Sequence, residues 1–316
     1  MSFSDFIKTF FDEKLLSPTS KKLYIANLKR LHNLVEEPFD AKKPWSFLTD
    51  PEKVNSAIQK YKPTTQRSYI IAISSVLKND EANKELYQKY YNRLMWMNDQ
   101  LKVNTTKSDV QEKNWMTTED IMTVYEEYKS KTKRFAKRTE LSRDEHRNLL
   151  TFMILSLYVL QAPRRNTDYT LMKISTNDSS EFNYLNLKEE KFVFNHYKTQ
   201  KTYKKTEVAI TSGDLMTAIK LYMKFHPDKQ MMRKKQHDFF FLVRHDSSPL
   251  KTSNAITKIL NQAFKRNVGS SMLRNIFLTD KYSATIEDLE KDAKKMGTSV
   301  STAMNNYIKK DDKDEK

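Results

Sequence analysis

The sequence predicts a mainly α-helical protein with a small antiparallel β-sheet. A helical domain over residues 1–101 is joined by a linker at 102–114 to an α+β domain over residues 115–316. Three observations predict this. Apolar residues recur at a spacing near 3.6 through the first hundred residues and again after residue 117. The period changes to two in three short β-prone runs, 182–187, 191–197 and 206–210. Between the two helical regions, residues 102–114 are polar and aperiodic.

Taken in order, Phe3, Phe6, Ile7, Phe10 and Phe11 mark a first helix, and Leu23, Ile25, Leu28, Leu31 and Val35 a second. Val54, Ile58 and Tyr61 mark a short third. Thr64 and Thr65 are suited to cap a fourth, which carries Tyr69, Ile70, Ile73, Val76 and Leu77. A fifth runs from about Ala82 to Leu101, with Leu86, Tyr90, Leu94 and Met97 inward. Pro18, Pro38, Pro44, Pro51 and Pro63 fall between these segments or at their starts, where proline costs no helical hydrogen bond. Thr117-Thr118-Glu119-Asp120 supplies an N-cap with early acids. The helix from Arg147 to about Ala162 is apolar on nearly all sides, which predicts a central position. The three β-prone runs follow, the last two separated by a polar turn at 198–205. Helices are expected at 212–226, 252–266, 270–282, 285–296 and 299–309. The run Phe239-Phe240-Phe241-Leu242-Val243 reads as buried chain, and the charged tail from Lys309 as frayed.

Composition narrows the function. Lys and Arg number 56 against 40 Asp and Glu, a formal net charge of +16, which points to a polyanionic partner. The three glycines, Gly213, Gly269 and Gly297, lie too far apart for a Walker loop or a dinucleotide fingerprint. With no cysteine there are no disulfides, thiolate zinc sites or thiol nucleophiles. The N-terminus lacks the basic and apolar regions of a secretory signal, and the longest apolar stretch, 149–160, is too short to span a bilayer. The expectation is a soluble, intracellular protein with no membrane partner, no small-molecule substrate, no cofactor and no metal.

Five features stand in a telling order: Ala162-Pro163-Arg164-Arg165-Asn166-Thr167-Asp168-Tyr169; Lys198 at the mouth of the hairpin; Ser271-Met272-Leu273-Arg274; Met296-Gly297-Thr298-Ser299-Val300-Ser301-Thr302; and Tyr307, nine residues after Thr298. In this order the chain resembles the tyrosine recombinase (phage integrase) family. That family arranges its site as Arg, hairpin Lys, His-x-x-Arg, His or Trp, then Tyr. The resemblance spans about residues 1–310, strongly over 147–308 and by architecture alone before that. An acid three residues after the first arginine matches Asp168 to Arg165 rather than to Arg164, and Leu171, Met172 and Ile174 match the apolar positions beyond. The Leu273-Arg274 pair and Phe277 match the second motif. The family has His at the position of Ser271, and His or Trp at that of Thr298; none of the six histidines falls on a motif position.

The resemblance implies a helical core-binding domain followed by a catalytic domain, closing as a clamp on double-stranded DNA. It implies a site of Arg165, Lys198, Ser271, Arg274, Thr298 and Tyr307. It implies a site-specific recombinase or integrase of a virus or mobile element that cleaves and rejoins DNA through a 3′-phosphotyrosine. The free protein would be a monomer and the assembly on DNA a tetramer, with only weak exchange of the short charged tail after Tyr307. The chemistry suits these residue types. Two guanidiniums hold the non-bridging oxygens of a pentacoordinate phosphorus and never lose their charge. A phenolate attacks, and an ammonium protonates the leaving 5′-oxygen.

Each residue alone also has a plain structural reading. Arg164 and Arg165 suit a basic helix terminus. Lys198 sits among Lys201, Lys204 and Lys205 in a solvated turn, Arg274 suits a salt bridge, and Tyr307 is one of 16 tyrosines. The basic stretches 131–147 and 229–235 read equally as DNA-tracking or as solubilising surface. Two other functions stay open: a type IB topoisomerase-like relaxing enzyme, and a DNA-binding relative that has lost catalysis.

Overall fold

The computed structural model describes residues 2–101, 107–176, 178–233, 239–296 and 299–300. It divides into two compact units, Met1–Thr106 and Lys107–Lys316. The fold is mainly helical with one small mixed sheet.

The first unit holds α1 (Phe3–Asp12), α2 (Pro18–Val35), α3 (Pro51–Ile58), α4 (Pro63–Leu77) and α5 (Lys84–Gln100). Ser2, Ser17 and Asp50 accept hydrogen bonds from first-turn amides and so fix three helix starts. Pro18, Pro51 and Pro63 sit in first turns, where the missing amide is not needed. α4 starts at Pro63 after Lys62 and has no side-chain cap, so Thr64 and Thr65 lie inside the helix instead of capping it. Ile7, Phe11, Leu28, Leu31, Val54, Ile58, Ile70, Ile73 and Leu77 form a dry core. Each such side chain contributes about 1.5–3 kcal/mol of transfer free energy. Leu23 was expected inward on α2 but is 48% exposed; the inward stripe of that helix is Leu28, Leu31 and Val35.

The second unit opens with α6 (Asp109–Asn114), inside the segment expected to be linker. A reciprocal capping box between Ser108 and Gln111 starts this helix. Arg266 donates to the Trp115 carbonyl at 2.8 Å, and the Asn267 amide donates to the Asn114 side chain at 2.9 Å, so both ends of 114–115 are tied to distant chain. α7 (Thr118–Lys133) starts at a second capping box, Thr117 with Asp120. α8 (Arg143–Val159) starts at a third, Ser142 with Glu145. Every residue from Leu149 to Tyr158 is buried, as its all-round apolar sequence requires.

α9 (Asn166–Tyr169) leads into β1 (Lys173–Ile174), β2 (Tyr184–Asn186) and β3 (Lys191–Phe194); α10 (Gln200–Tyr203), β4 (Thr206–Ala209), α11 (Gly213–Lys224), α12 (Lys229–Arg233) and β5 (Phe239–Phe240) follow. The three β-prone runs pair antiparallel, Leu185 opposite Phe192 and Phe192 opposite Val208. The sheet is nevertheless mixed and five-stranded, in the order β4-β3-β2-β1-β5. β1 runs parallel to β2 and antiparallel to β5. Each of these two extra strands has two residues, too few for alternation to show. Of the three apolar positions after Asp168, Met172 is buried, but Leu171 is 42% exposed with φ 56°. The polar turn 198–205 contains α10, which closes the hairpin in one helical turn.

α13 (Ser253–Phe264) and α14 (Ser270–Lys295) complete the described chain. The helices expected at 270–282 and 285–296 are one continuous helix. No glycine or proline interrupts it, and the Asp288–Lys291 and Asp292–Lys295 pairs support its far half. The helix expected at 299–309 lies outside the described residues.

Two buried histidines give this unit an acid sensitivity. Burial lowers the pKa of His146 to about 4, helped by the nearby His245 and His226. His226 is also lowered, first by burial. As pH falls below the ordinary value of 6.5, the unfolded chain takes up a proton that folded His146 refuses. Stability is therefore lost between about pH 6.5 and 4, by ~3 kcal/mol from His146 alone. Urea unfolding across that window should show the loss, and His146→Gln should reduce it by about the His146 share, leaving that of His226.

Candidate active site

α8 ends at Val159, and residues 160–165 bring the chain to α9. Arg165 is the N-cap of α9, in extended conformation (φ −70°, ψ 146°). Successive side chains alternate along extended backbone, so Arg164 and Arg165 are sent to different environments. Arg164 donates from Nε to Asp168 Oδ2 at 3.0 Å. Its guanidinium lies 3.7 Å from the Phe194 ring centre and 5.3 Å from that of Tyr197. Asp168 is buried, and burial raises its pKa; the charge and hydrogen bond of Arg164 oppose that rise, as does the charge of Arg165. The Arg165 guanidinium has neither a hydrogen bond nor an ion pair among the described residues.

Asn166 holds the next layer. Tyr158 donates its hydroxyl to Asn166 Oδ1 at 2.5 Å. The Asn166 amide donates to the Ser253 carbonyl at 3.0 Å and to Thr257 Oγ1 at 2.8 Å. This pins α9 to the start of α13. The methyl of Thr257 in turn lies 3.5 Å from where a Cβ on Gly269 would stand, against the residue that caps α14. Arg274, one turn into α14, donates from Nε to the Ser270 carbonyl at 3.3 Å and from Nη2 to Ser271 Oγ at 3.2 Å. Its charge acts on the Tyr158 hydroxyl, opposing the strong upward pKa shift that burial imposes there. Arg165 and Arg274 thus sit on segments that share one polar node, Tyr158–Asn166–Thr257.

The hairpin is tied to the same region. Buried Asn183 donates to the Asp168 carbonyl at 2.9 Å and to the His196 carbonyl at 2.8 Å. It accepts from the amides of Asn195 at 2.8 Å and His196 at 2.7 Å. Lys198 is two residues beyond this clamp and exposed. Lys205 is held by Asp178 at 3.0 Å and Glu207 at 2.8 Å. Lys191 is held by Glu189 at 2.6 Å and Glu207 at 2.7 Å. Lys198 makes no such pair among the described residues, which leaves its ammonium free to meet an anion.

Of the six residues expected to form the site, Arg165, Lys198, Ser271 and Arg274 are therefore seen; Thr298 and Tyr307 lie outside the described residues. Sequence reasoning missed Tyr158, Asn166, Asn183 and Thr257. Tyr158 carried a signal: a hydroxyl near the end of a buried, mostly apolar helix must find a buried partner. Among the described residues, no group of three or more His, Asp or Glu side chains is placed to hold a metal ion, and no helix is long and apolar enough to cross a membrane.

The chain is similar along 98% of its length to the crystal structure of XerA recombinase, of which 94% is covered, at 15% sequence identity and a TM-score of 0.34. No family model matches the chain, and no curated protein matches it.

The two neighbouring arginines should separate in a stability assay. Arg164→Ala strands a buried carboxylate and should cost about 3–5 kcal/mol, seen as a lower midpoint in urea. Arg165→Ala should stay within about 0.5 kcal/mol of the parent. Equal losses would show that Arg165 also serves the fold.

Proposed function

We propose that this chain is a tyrosine-type site-specific DNA recombinase, with residues 1–101 as a core-binding domain and 115–316 as the catalytic domain. The observation that carries the reading is the polar node that joins the segments of Arg165 and Arg274. Arg165 there has no partner among the described residues, while its neighbour Arg164 is consumed by Asp168. A guanidinium without a partner among the described residues, on a segment tied to that of a second one, is suited to the non-bridging oxygens of a phosphodiester.

The mechanism follows from charge. Attack on phosphorus builds negative charge on those oxygens, and fixed guanidiniums stabilise it without reorganisation. Tyr307 is the nucleophile. A phenol ionises near pH 10, so its attack is favoured where the same arginines supply positive charge. Lys198, on the hairpin tip, gives a proton to the leaving 5′-oxygen, and the phosphodiester energy is kept as a 3′-phosphotyrosine until a second 5′-hydroxyl reverses the step. Ser271 accepts a hydrogen bond from Arg274, so its hydroxyl orients that guanidinium where the family places an imidazole. Thr298 completes the set as a hydrogen-bond donor to phosphate.

Strand exchange between two duplexes needs four such sites, so the working assembly is a tetramer on DNA built from free monomers, in an intracellular compartment that holds DNA. Its net charge of +16 makes binding steeply salt-dependent, by roughly 10³-fold between about 50 and 200 mM if six or more phosphates are neutralised.

A nicked suicide substrate tests the proposal. The parent protein should form a covalent adduct and recombine paired sites. Tyr307→Phe should lose the adduct while keeping DNA affinity within about twofold. Arg165→Ala and Arg274→Ala should slow adduct formation by about 10²-fold or more. Ser271→His should preserve or raise the rate. An adduct with relaxation but no recombination would identify a topoisomerase, and no adduct in the parent protein a DNA-binding relative. An undiminished adduct in Tyr307→Phe would move the nucleophile elsewhere.

A further inference from the structure

The second unit holds a cavity of about 860 Å³ at the N-terminal end of α8. It is well separated from Arg165. Arg147 on its wall stands about 18 Å along the helix from Val159, at ~1.5 Å per residue, and Arg165 lies beyond Val159. Three elements bring cations to the cavity: α8 with Arg143 and Arg147, the loop before α13 with Arg244, and α13 with Lys258.

The lining is unbalanced in charge. Asp246 is its one carboxylate among the lining residues. That carboxylate is occupied locally, accepting from the Ser248 amide at 3.1 Å and the Ser248 hydroxyl at 2.6 Å. Arg147 meets Asp144 at 3.1 Å, but both side chains are about three-quarters exposed, and such pairs hold weakly. Arg244 is fixed by the Pro249 carbonyl at 3.3 Å. The remaining lining supplies one apolar wall, Leu150, Ala255 and Ile259.

The innermost polar group of this lining is anomalous. His146 is 2% exposed, and its Nε2 has no hydrogen-bond partner among the described residues. Its ring lies edge-on to His245, 5.7 Å between centres. A buried ring nitrogen without a partner is costly and finds its reason where a ligand or its ordered water completes the site. His146 is not part of the mechanism proposed above, and neither is any of the four cations.

We propose that this cavity binds a small anion carrying a chain of two or more phosphates, held by Arg143, Arg147, Arg244 and Lys258 with His146 beneath it. Guanidinium forks match phosphate oxygens in pairs. Cations converging from three elements suit several linked phosphates better than one. The volume lies within the range of small-ligand pockets. The phosphate chain can come from an inorganic polyphosphate or from a nucleotide, whose base the apolar wall would take.

Calorimetric titration of the full chain at near-physiological salt tests this, with sodium tripolyphosphate and ATP as probes and a short duplex as competitor. Saturable tripolyphosphate binding is expected, weakened at least about tenfold in Arg147→Gln/Lys258→Gln and unchanged in Arg165→Ala. Both substituted side chains are exposed, so the thermal midpoint should stay put. ATP binding tighter than tripolyphosphate with the same loss would assign the source as a nucleotide; equal or weaker ATP binding would assign inorganic polyphosphate. The proposal is overturned by absent saturation, by binding undiminished in the double variant, or by loss in Arg165→Ala. It is also overturned if the duplex displaces tripolyphosphate and the double variant loses duplex affinity by the same factor, since the surface would then be DNA-binding.

Discussion

A carboxylate kept from water needs a cation, and much of the candidate site follows from how Asp168 gets one. Asp168 is 1% exposed and takes Arg164 as its partner at 3.0 Å. With its charge committed there, Arg164 lies over the ring of Phe194, the last residue of the strand that feeds the hairpin. The carbonyl of the same Asp168 accepts from Asn183, which also bonds the carbonyl and the amide of His196 at the entry to the turn. One short helix therefore locates the hairpin twice, through a cation on an aromatic face and through an amide. Neither contact uses Arg165 or Lys198. Both leave those side chains unspent, which a site for an external anion requires: a cation already neutralised inside the protein has little to offer a phosphate.

The helical elements were legible because their signals are local and long. Capping boxes at Thr117 and Ser142 and prolines in first turns can be read residue by residue. Arg165 and Lys198 fall at boundaries between elements, the start of α9 and the turn after β3, which is where a motif stands out from helical or alternating pattern. The sheet was half legible. Its three longer strands show alternation, but β1 exists only because β2 offers it an edge, and β5 only because β1 then offers the next. Two residues cannot announce that. The single α14 was misread as two helices because apolar residues stop facing the core after Ile276 and resume at Ala293. A helix that leaves its support loses its period without losing its hydrogen bonds.

The preference for Arg165 over Arg164 came from the spacing to Asp168, and the local geometry bears on why spacing carries information. In a helix that begins at residue 166, an acid at 168 is turned inward with Tyr169. The residue before the N-cap pairs with it, while the N-cap itself is extended and makes no hydrogen bond to it. The node of Tyr158, Asn166 and Thr257 could not be found this way. Its members lie on three elements up to 99 residues apart in sequence, and each looks ordinary alone. What joins them is the obligation of a buried hydroxyl and a buried amide to find partners.

The placement of histidine separates two kinds of chemistry within one unit. His146, His226 and His245 gather near the start of α8, and among the described candidate site residues there is none. At that site the positions seen are filled by guanidiniums, an ammonium and a hydroxyl. Guanidiniums keep their charge across the physiological range, and a hydroxyl can donate or accept without titrating there. The charge of the two guanidiniums is therefore insensitive to the pH changes that would charge an imidazole. The histidine cluster shows the opposite behaviour, since its buried ring is held neutral and a nearby anion would favour its protonated form. α8 thus leads from a buried histidine cluster at its start to Arg165 beyond its end, with a buried, mostly apolar stretch between them.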